Sequence, residues 1–234
     1  MKIRDIKTIT YMFVNTYLIR TDETTVLFDT GAALPPGELP EFLGRNGVDP
    51  REVQLIILSH MHWDHVQLAA EWKKLSGAKI MCHKNAVDYL TAGKLPQFVY
   101  GEEAKKMPLF MDFMNSDRVT EIEPVQPDVI LGDEDFDMRP YGLPGKVIYT
   151  PGHEEASVSL LLENGIAFTG DLVVDLHTIR CLEDIFPPES YALNWICYDR
   201  QALRSSVKRA VESADFFYGG HGNPAAKEKI LSLL

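Results

Sequence analysis

The feature that most narrows what this chain can fold into is an apolar run, Leu55, Ile56, Ile57 and Leu58, that passes directly into SHMHWDHVQ over residues 59–67. The run reads as a strand, and its end must deliver three histidines and an aspartate within six positions. His60 and His62 are two apart on extended backbone, so both imidazoles point to one side and can share a metal. Asp64 and His65 fall where the chain turns into an amphipathic helix, read over VQLAAEWKKL and ending near Gly77. They suit a second, adjacent metal. A lone histidine is more often a core or surface residue than a ligand, but here four candidate ligands coincide. Nitrogen and carboxylate donors without thiolate favour zinc, with iron and manganese compatible, and point to a catalytic site.

The same pattern recurs along the chain: strands end in polar residues suited to chemistry. ITYMFVNTYLIRT alternates, and after a short turn TTVLFDTG forms the second strand of a hairpin that ends at Asp29. A helix follows over Leu39 to Arg45, and KIMCH is a further strand. KVIYT runs into Pro151, Gly152 and His153, while SVSLLLENGIAFTGD turns at Asn164 and Gly165 before reaching Asp171. DFFYGG delivers His221, and helices are read over Tyr191 to Ser213 and Ala225 to Leu234. Strands and helices alternate in two successive groups, which favours an α/β fold of helices covering packed sheets over an all-β sandwich.

The chain of 234 residues, 45% of them hydrophobic, is read as one domain over 1–234 with a helical insertion at about 93–119. That insertion holds Phe98, Tyr100, Met107, Leu109, Phe110, Met111, Phe113 and Met114 between charges. It packs as an ordinary amphipathic segment, caps a substrate, or joins two protomers of a homodimer. Cys82, Cys181 and Cys197 form no CxxC pair, and the N-terminus reads as neither an export signal nor a membrane span, so a reducing, cytoplasmic setting is expected. A formal charge of -11 repels polyphosphate, and the basic stretch from Arg200 to Arg209 lacks interleaved aromatic residues. A small-molecule substrate is expected, with neither nucleic acid nor membrane as partner.

HMHWDH at residues 60–65 resembles the HxHxDH signature of the metallo-beta-lactamase-fold hydrolases. TPGH ending at His153, FTGD ending at Asp171 and GGHG containing His221 are similar to that family's later ligand motifs, in order, and the resemblance runs from about Ile9 to Pro224. It implies a four-layer αββα sandwich with the site at one edge. It further implies that His60, His62 and His153 hold one metal, that Asp64, His65 and His221 hold a second, and that Asp171 bridges them. Asp29 could accept a hydrogen bond from a ligand imidazole, or be a turn carboxylate. Gly152, Gly170 and Gly222 adjoin ligands and could let the backbone approach closely.

Two such metals, with a bridging hydroxide as nucleophile and Asp64 passing a proton to the leaving group, would hydrolyse a carbonyl ester, lactone or thioester. Apolar side chains from Phe98 to Met114, Phe110 and Phe113 among them, would cover the substrate's apolar end, and His177 or Tyr191 would contact its polar part. His83 is read as structural. Only thirteen residues follow His221, without the helical domain that glyoxalase II uses for its thioester, and DLVVDLH offers Val174 and His177 where lactonases of this fold carry a tyrosine. The alternatives are a mononuclear iron persulfide dioxygenase and a non-catalytic, metal-stabilised binding module.

Overall fold

Alternate residues of each central strand belong to different layers of the molecule, and that alternation builds the fold. The structure is a computed structural model. It describes residues 1–32, 34–108, 111–112, 119–178, 191–192 and 196–234. One sheet has the order β1-β2-β3-β4-β5-β6, with β1 at Ile3–Tyr11, β2 at Val14–Thr21, β3 at Thr25–Phe28, β4 at Leu55–Ile57, β5 at Lys79–His83 and β6 at Val129–Leu131. Its first three strands are antiparallel, and the steps from β3 to β6 are parallel. Parallel neighbours need crossovers, and helices at Leu39–Arg45, Ala69–Ser76 and Val87–Ala92 lie in the connections.

The second sheet has the order β14-β13-β10-β9-β8-β7. Its strands are β7 at Phe136–Asp137, β8 at Gly145–Tyr149, β9 at Val158–Leu162, β10 at Ile166–Phe168, β13 at Phe216–Tyr218 and β14 at Ala225–Ala226. A separate pair joins β11, Val174–Asp175, to β12, Tyr191–Ala192.

Three apolar clusters separate four layers. Leu18, Leu27, Ile56 and Ile80 pack on Leu39, Leu43, Ala69 and Trp72 of the outer helices. Ile19, Val26, Phe28, Leu55, Ile57 and Met81 face the other way, against Val147, Val158, Leu160, Leu162 and Phe168 of the second sheet. Ile148, Leu161 and Ala167 look outward onto Leu203, Val207, Ala210 and Val211 of the helix Arg200–Ser213. Period-two side-chain direction thus supplies both faces of each sheet, and the expected αββα sandwich is present.

Three expectations on element boundaries need correction. ITYMFVNTYLIRT is not one strand: it breaks at Met12 and Phe13, where Tyr11 pairs with Val14 and Met12 takes a φ of +52°. Neither residue is a usual turn former, so the sequence carries no turn signal there. The helix read from Tyr191 begins only at Arg200, because Asp199 caps it by accepting the N–H groups of Gln201 and Ala202. The C-terminal segment starts as β14, pairing with β13, before its helix at Lys227–Leu231.

The ends of β3, β4, β8, β10 and β13 gather at one edge, and the two sheets are tied together there. Val158 N–H donates to Ser59 O at 2.7 Å, Asn15 N–H donates to Gly220 O at 2.7 Å, and the Tyr17 hydroxyl donates to Gly219 O. Just behind that edge, Phe168 fills the space between sheets, with ring centroids 5.0 Å from Tyr17, 5.9 Å from Phe28 and 5.3 Å from Tyr218. Phe168→Ala should therefore cost about 3–5 kcal/mol of unfolding free energy, read from urea melts; a cost near that of a surface substitution would contradict this account of the core.

Candidate metal centre

The site begins with a buried carboxylate. Asp29 is the residue just past β3, wholly buried, with a φ of +62°. Its Oδ1 accepts the Ser59 N–H at 2.7 Å, and its Oδ2 accepts both the Ser59 hydroxyl at 2.7 Å and the His65 Nδ1–H at 2.8 Å. With its proton given to Asp29, Ser59 Oγ is left to accept from His60 Nδ1, 2.9 Å away. Asp29 thus accepts from a His65 ring nitrogen and from the Ser59 loop, thirty residues away, and, among the described residues, not from its own turn. The same chain of bonds orients both rings: His60 and His65 each donate from Nδ1, and their Nε2 atoms face inward, that of His60 as a lone pair.

Elsewhere the backbone does the same work. His153 Nδ1–H donates to Ile196 O at 2.7 Å, and His221 Nδ1–H donates to Phe13 O at 2.9 Å. His60 Nε2 then lies 3.1 Å from His62 Nδ1, and His153 Nε2 lies 2.9 Å from the same atom. In the neighbouring group His65 Nε2 and His221 Nε2 are 3.4 Å apart, with Asp64 Oδ2 3.2 Å from His221 Nε2 and 3.8 Å from His65 Nε2.

Asp171 reaches both groups. Its Oδ2 is 3.6 Å from His153 Nε2, 3.9 Å from His60 Nε2 and 3.2 Å from His221 Nε2, while Oδ1 is 3.2 Å from His65 Nε2. That Oδ1 is buried, and among the described residues no hydrogen bond satisfies it unless His65 Nε2 carries a proton. Inward-facing lone pairs and an orphaned carboxylate oxygen repel one another unless cations lie between them. The four side chains of the first group, His60, His62, His153 and Asp171, offer ligand atoms within 4.8 Å of one another, as do Asp64, His65 and His221 in the second. The donor set and its convergence fit a dinuclear metal site.

The two groups differ in charge. Burial, then mutual repulsion among imidazoles, holds His60 and His62 well below the usual imidazole pKa, and burial lowers His153 against the pull of Asp171. Burial opposes charge on His65 and His221 too, but Asp171 and Asp64 outweigh it, lifting His65 well above its usual value and His221 to about 10. Burial likewise resists ionisation of Asp64 and Asp171, yet His65 and His221 pull both carboxyls down, Asp171 furthest.

Close packing enforces this geometry. Gly152, Gly170 and Gly222 all have positive φ, and a Cβ on Gly170 would lie 2.6 Å from Ser59 Oγ. Gly220 escaped the sequence reading, although a Cβ there would come within 2.4 Å of both Asp171 Oδ1 and His65 Cε1. Its only signal was the doubled glycine before His221. Ser59, the Phe13 carbonyl and the Phe98 ring, 4.2 Å from that of His62, were also missed as contributors.

The expected substrate residues are placed less closely. His177 sits in the turn Leu176–Thr178, which is tied to the His221 loop by Asn223 N–H donating to Thr178 Oγ1 at 2.7 Å. Tyr191 is described through its backbone, paired with Asp175, and Phe110 and Phe113 lie outside the described residues. His83 is remote from both groups, stacked on Tyr149 at 4.2 Å and 3.1 Å from Asp133 Oδ1.

The model of the metallo-beta-lactamase superfamily matches residues 9–221. The chain belongs to that superfamily. This superfamily member is 28% identical over 229 residues to a metallo-beta-lactamase fold-containing protein of Sulfurisphaera tokodaii, a match covering 92% of the chain and 76% of that relative. It is also 28% identical over 168 residues to a protein of Methanocaldococcus jannaschii named a probable metallo-hydrolase, covering 68% of the chain and 66% of the relative. In fold it is similar to the B3 metallo-beta-lactamase BLEG-1, with a TM-score of 0.65 at 18% identity over 97% of each chain.

Two outcomes follow for this superfamily member. Asp29→Asn replaces an acceptor oxygen with a donor facing Ser59 or His65, and should weaken metal binding by about 10- to 100-fold, measured by chelator competition. Wild-type affinity in that variant would show that Asp29 organises only the turn. In the metal-free protein the carboxylates favour protonation of His65 and His221, whereas burial favours neutral rings at His60, His62 and His153. Metal uptake by the second group should therefore release protons and tighten as pH rises, with little release at the first. Calorimetry in buffers of different ionisation enthalpy reads this directly, and equal release at both groups would contradict it.

Proposed function

We propose that the chain is a dinuclear metal-dependent hydrolase of a small carbonyl ester, lactone or thioester. The observation that carries this reading is the reach of Asp171 to both groups, its Oδ2 3.6 Å from His153 Nε2 and 3.2 Å from His221 Nε2. His60, His62 and His153 would hold the first cation and Asp64, His65 and His221 the second, with Asp171 shared between the groups. Such a pair of divalent cations would supply a Lewis acid for a substrate carbonyl and acidify water towards a pKa of about 7. Asp64, whose Oδ2 lies 3.2 Å from His221 Nε2 inside the second group, is the carboxylate placed to pass a proton to the leaving group. Phe13, Trp63 and Phe98 present rings on either side of the paired groups: Phe13 lies 5.8 Å from His221 and 5.9 Å from Trp63, and Phe98 lies against His62. Such walls suit a small organic substrate.

The nitrogen and oxygen donors suit zinc, and iron or manganese is distinguished by metal analysis. A mononuclear iron persulfide dioxygenase would need only one group, whereas Asp64, His65 and His221 assemble a second. The relative named as a probable metallo-hydrolase supports hydrolysis as the reaction type. His177, Tyr191, Phe110 and Phe113 remain the proposed substrate contacts, and a single domain, a homodimer and a cytoplasmic setting remain part of the proposal. No helix of the described residues is long and apolar enough to cross a membrane.

Protein purified without chelator should carry two divalent metals per protomer. Asp171→Ala should lose metal from both groups, and His221→Ala mainly from the second, as counted by elemental analysis. Hydrolysis of a panel of esters, lactones and thioesters should stop on chelation and return with metal. Full occupancy in Asp171→Ala would remove the bridging role. Failure to turn over any of the panel with both groups loaded would leave a metal-stabilised binding module.

A further inference from the structure

Four of the five histidines in the two groups have the nitrogen remote from their partners tied by a hydrogen bond. His60 Nδ1 meets Ser59 Oγ, His65 Nδ1 meets Asp29, His153 Nδ1 meets Ile196 O and His221 Nδ1 meets Phe13 O. His62 differs. It turns Nδ1 inward, towards His60 Nε2 and His153 Nε2, and no hydrogen bond among the described residues reaches its Nε2. Its ring instead meets Phe98, with centroids 4.2 Å apart and planes inclined at 47°.

Phe98 begins a short strap attached to the same group by a second route. Cys197 N–H donates to Val99 O at 2.9 Å, and Tyr100 pairs antiparallel with Ile196, whose carbonyl accepts the His153 Nδ1–H. The strap thus touches His62 through a ring and reaches His153 through one carbonyl. An imidazole with no hydrogen bond on its remote nitrogen is free to turn about its side-chain torsions, and a ligand nitrogen must be held within a few tenths of an ångström to bind metal well.

We propose that Phe98 is the positioning residue of His62, fixing by ring contact an imidazole whose four counterparts are fixed by hydrogen bonds. The inference rests on the dinuclear reading above. Phe98 is half-buried, so truncating it leaves the core intact.

The test isolates each group in the full chain: His221→Ala leaves the first, and His153→Ala leaves the second. Zinc affinity of each is then measured by chelator competition, with and without a change at Phe98. In the His221→Ala background, Phe98→Ala should weaken zinc binding about tenfold or more, while Phe98→Tyr, which keeps the ring, should stay within about threefold. In the His153→Ala background Phe98→Ala should have little effect. Unchanged affinity of the first group in Phe98→Ala, or equal loss in both groups, overturns the proposal.

A second readout needs no metal. Carbethoxylation of the metal-free protein, mapped by peptide mass spectrometry, should label His62 faster in Phe98→Ala than in the wild type, with the rate at His60 unchanged. An unaltered His62 rate also overturns the proposal. Should the wild type bind neither zinc, iron nor manganese, the dinuclear reading fails by itself, and the labelling comparison still decides whether Phe98 covers His62. If Phe98→Ala proves unfolded by thermal melting, Phe98→Leu, which lacks the ring, takes its place with the same expected losses.

Discussion

The Asp29 carboxylate is the interaction on which the rest of the site depends. Wholly buried, it pairs with no lysine or arginine among the described residues, and its oxygens are met by Ser59 N–H, Ser59 O–H and His65 N–H. Burying an ionised carboxylate is costly unless its oxygens are satisfied, and three short bonds do so here. Their effect reaches beyond balance. One bond aligns His65 in the second group, and another passes through Ser59 to His60 in the first. Two strand ends, β3 and β4, are thereby locked with both groups in register. The positive φ of Asp29 is the local cost, tolerated because aspartate visits the left-handed region more readily than bulkier residues.

From that anchor the electrostatics divide. The first group gathers three imidazoles with one carboxylate at its margin, and burial keeps the rings neutral, as ligands must be. The second places Asp64 and Asp171 against His65 and His221, so before any cation arrives those imidazoles hold protons in its stead. Asp171 belongs to both environments. With Oδ2 within reach of both groups and Oδ1 facing His65, this carboxylate couples them, and a change of charge in one changes the field in the other.

What was legible in the sequence follows from how local each signal is. Side-chain alternation in LIIL, KVIYT and SVSLLL is a backbone property, and it maps directly onto three apolar layers. The ligand residues lie in short motifs at strand ends, so their spacing carried the information. The turn at Met12 and Phe13 was hidden because register and the pairing of Tyr11 with Val14 hold it, not turn-forming residues. Gly220, the Phe13 carbonyl and Phe98 act across long sequence separations, where only the folded chain shows what a Cβ would strike or which ring lies on which imidazole. The helix read from Tyr191 was overextended because an apolar period continues through residues that the Asp199 cap excludes from the helix.

The anchors of the two groups are unlike in kind, and this bears on how such a site can be specialised. His65 and His221 hang from Asp29 and from the carbonyl of Phe13, on strand ends and a hairpin that belong to the sheets. His60 shares the first of these anchors through Ser59. His153 and His62 depend instead on Ile196 and Phe98, which lie in connecting segments and are bonded to each other through Tyr100 and Val99. Connecting segments tolerate change better than sheets do, because fewer buried contacts fix them. The second group is thus tied to the fold itself. The first is tied in part to connecting segments, so a change around Phe98 or Ile196 also alters how His62 and His153 are held.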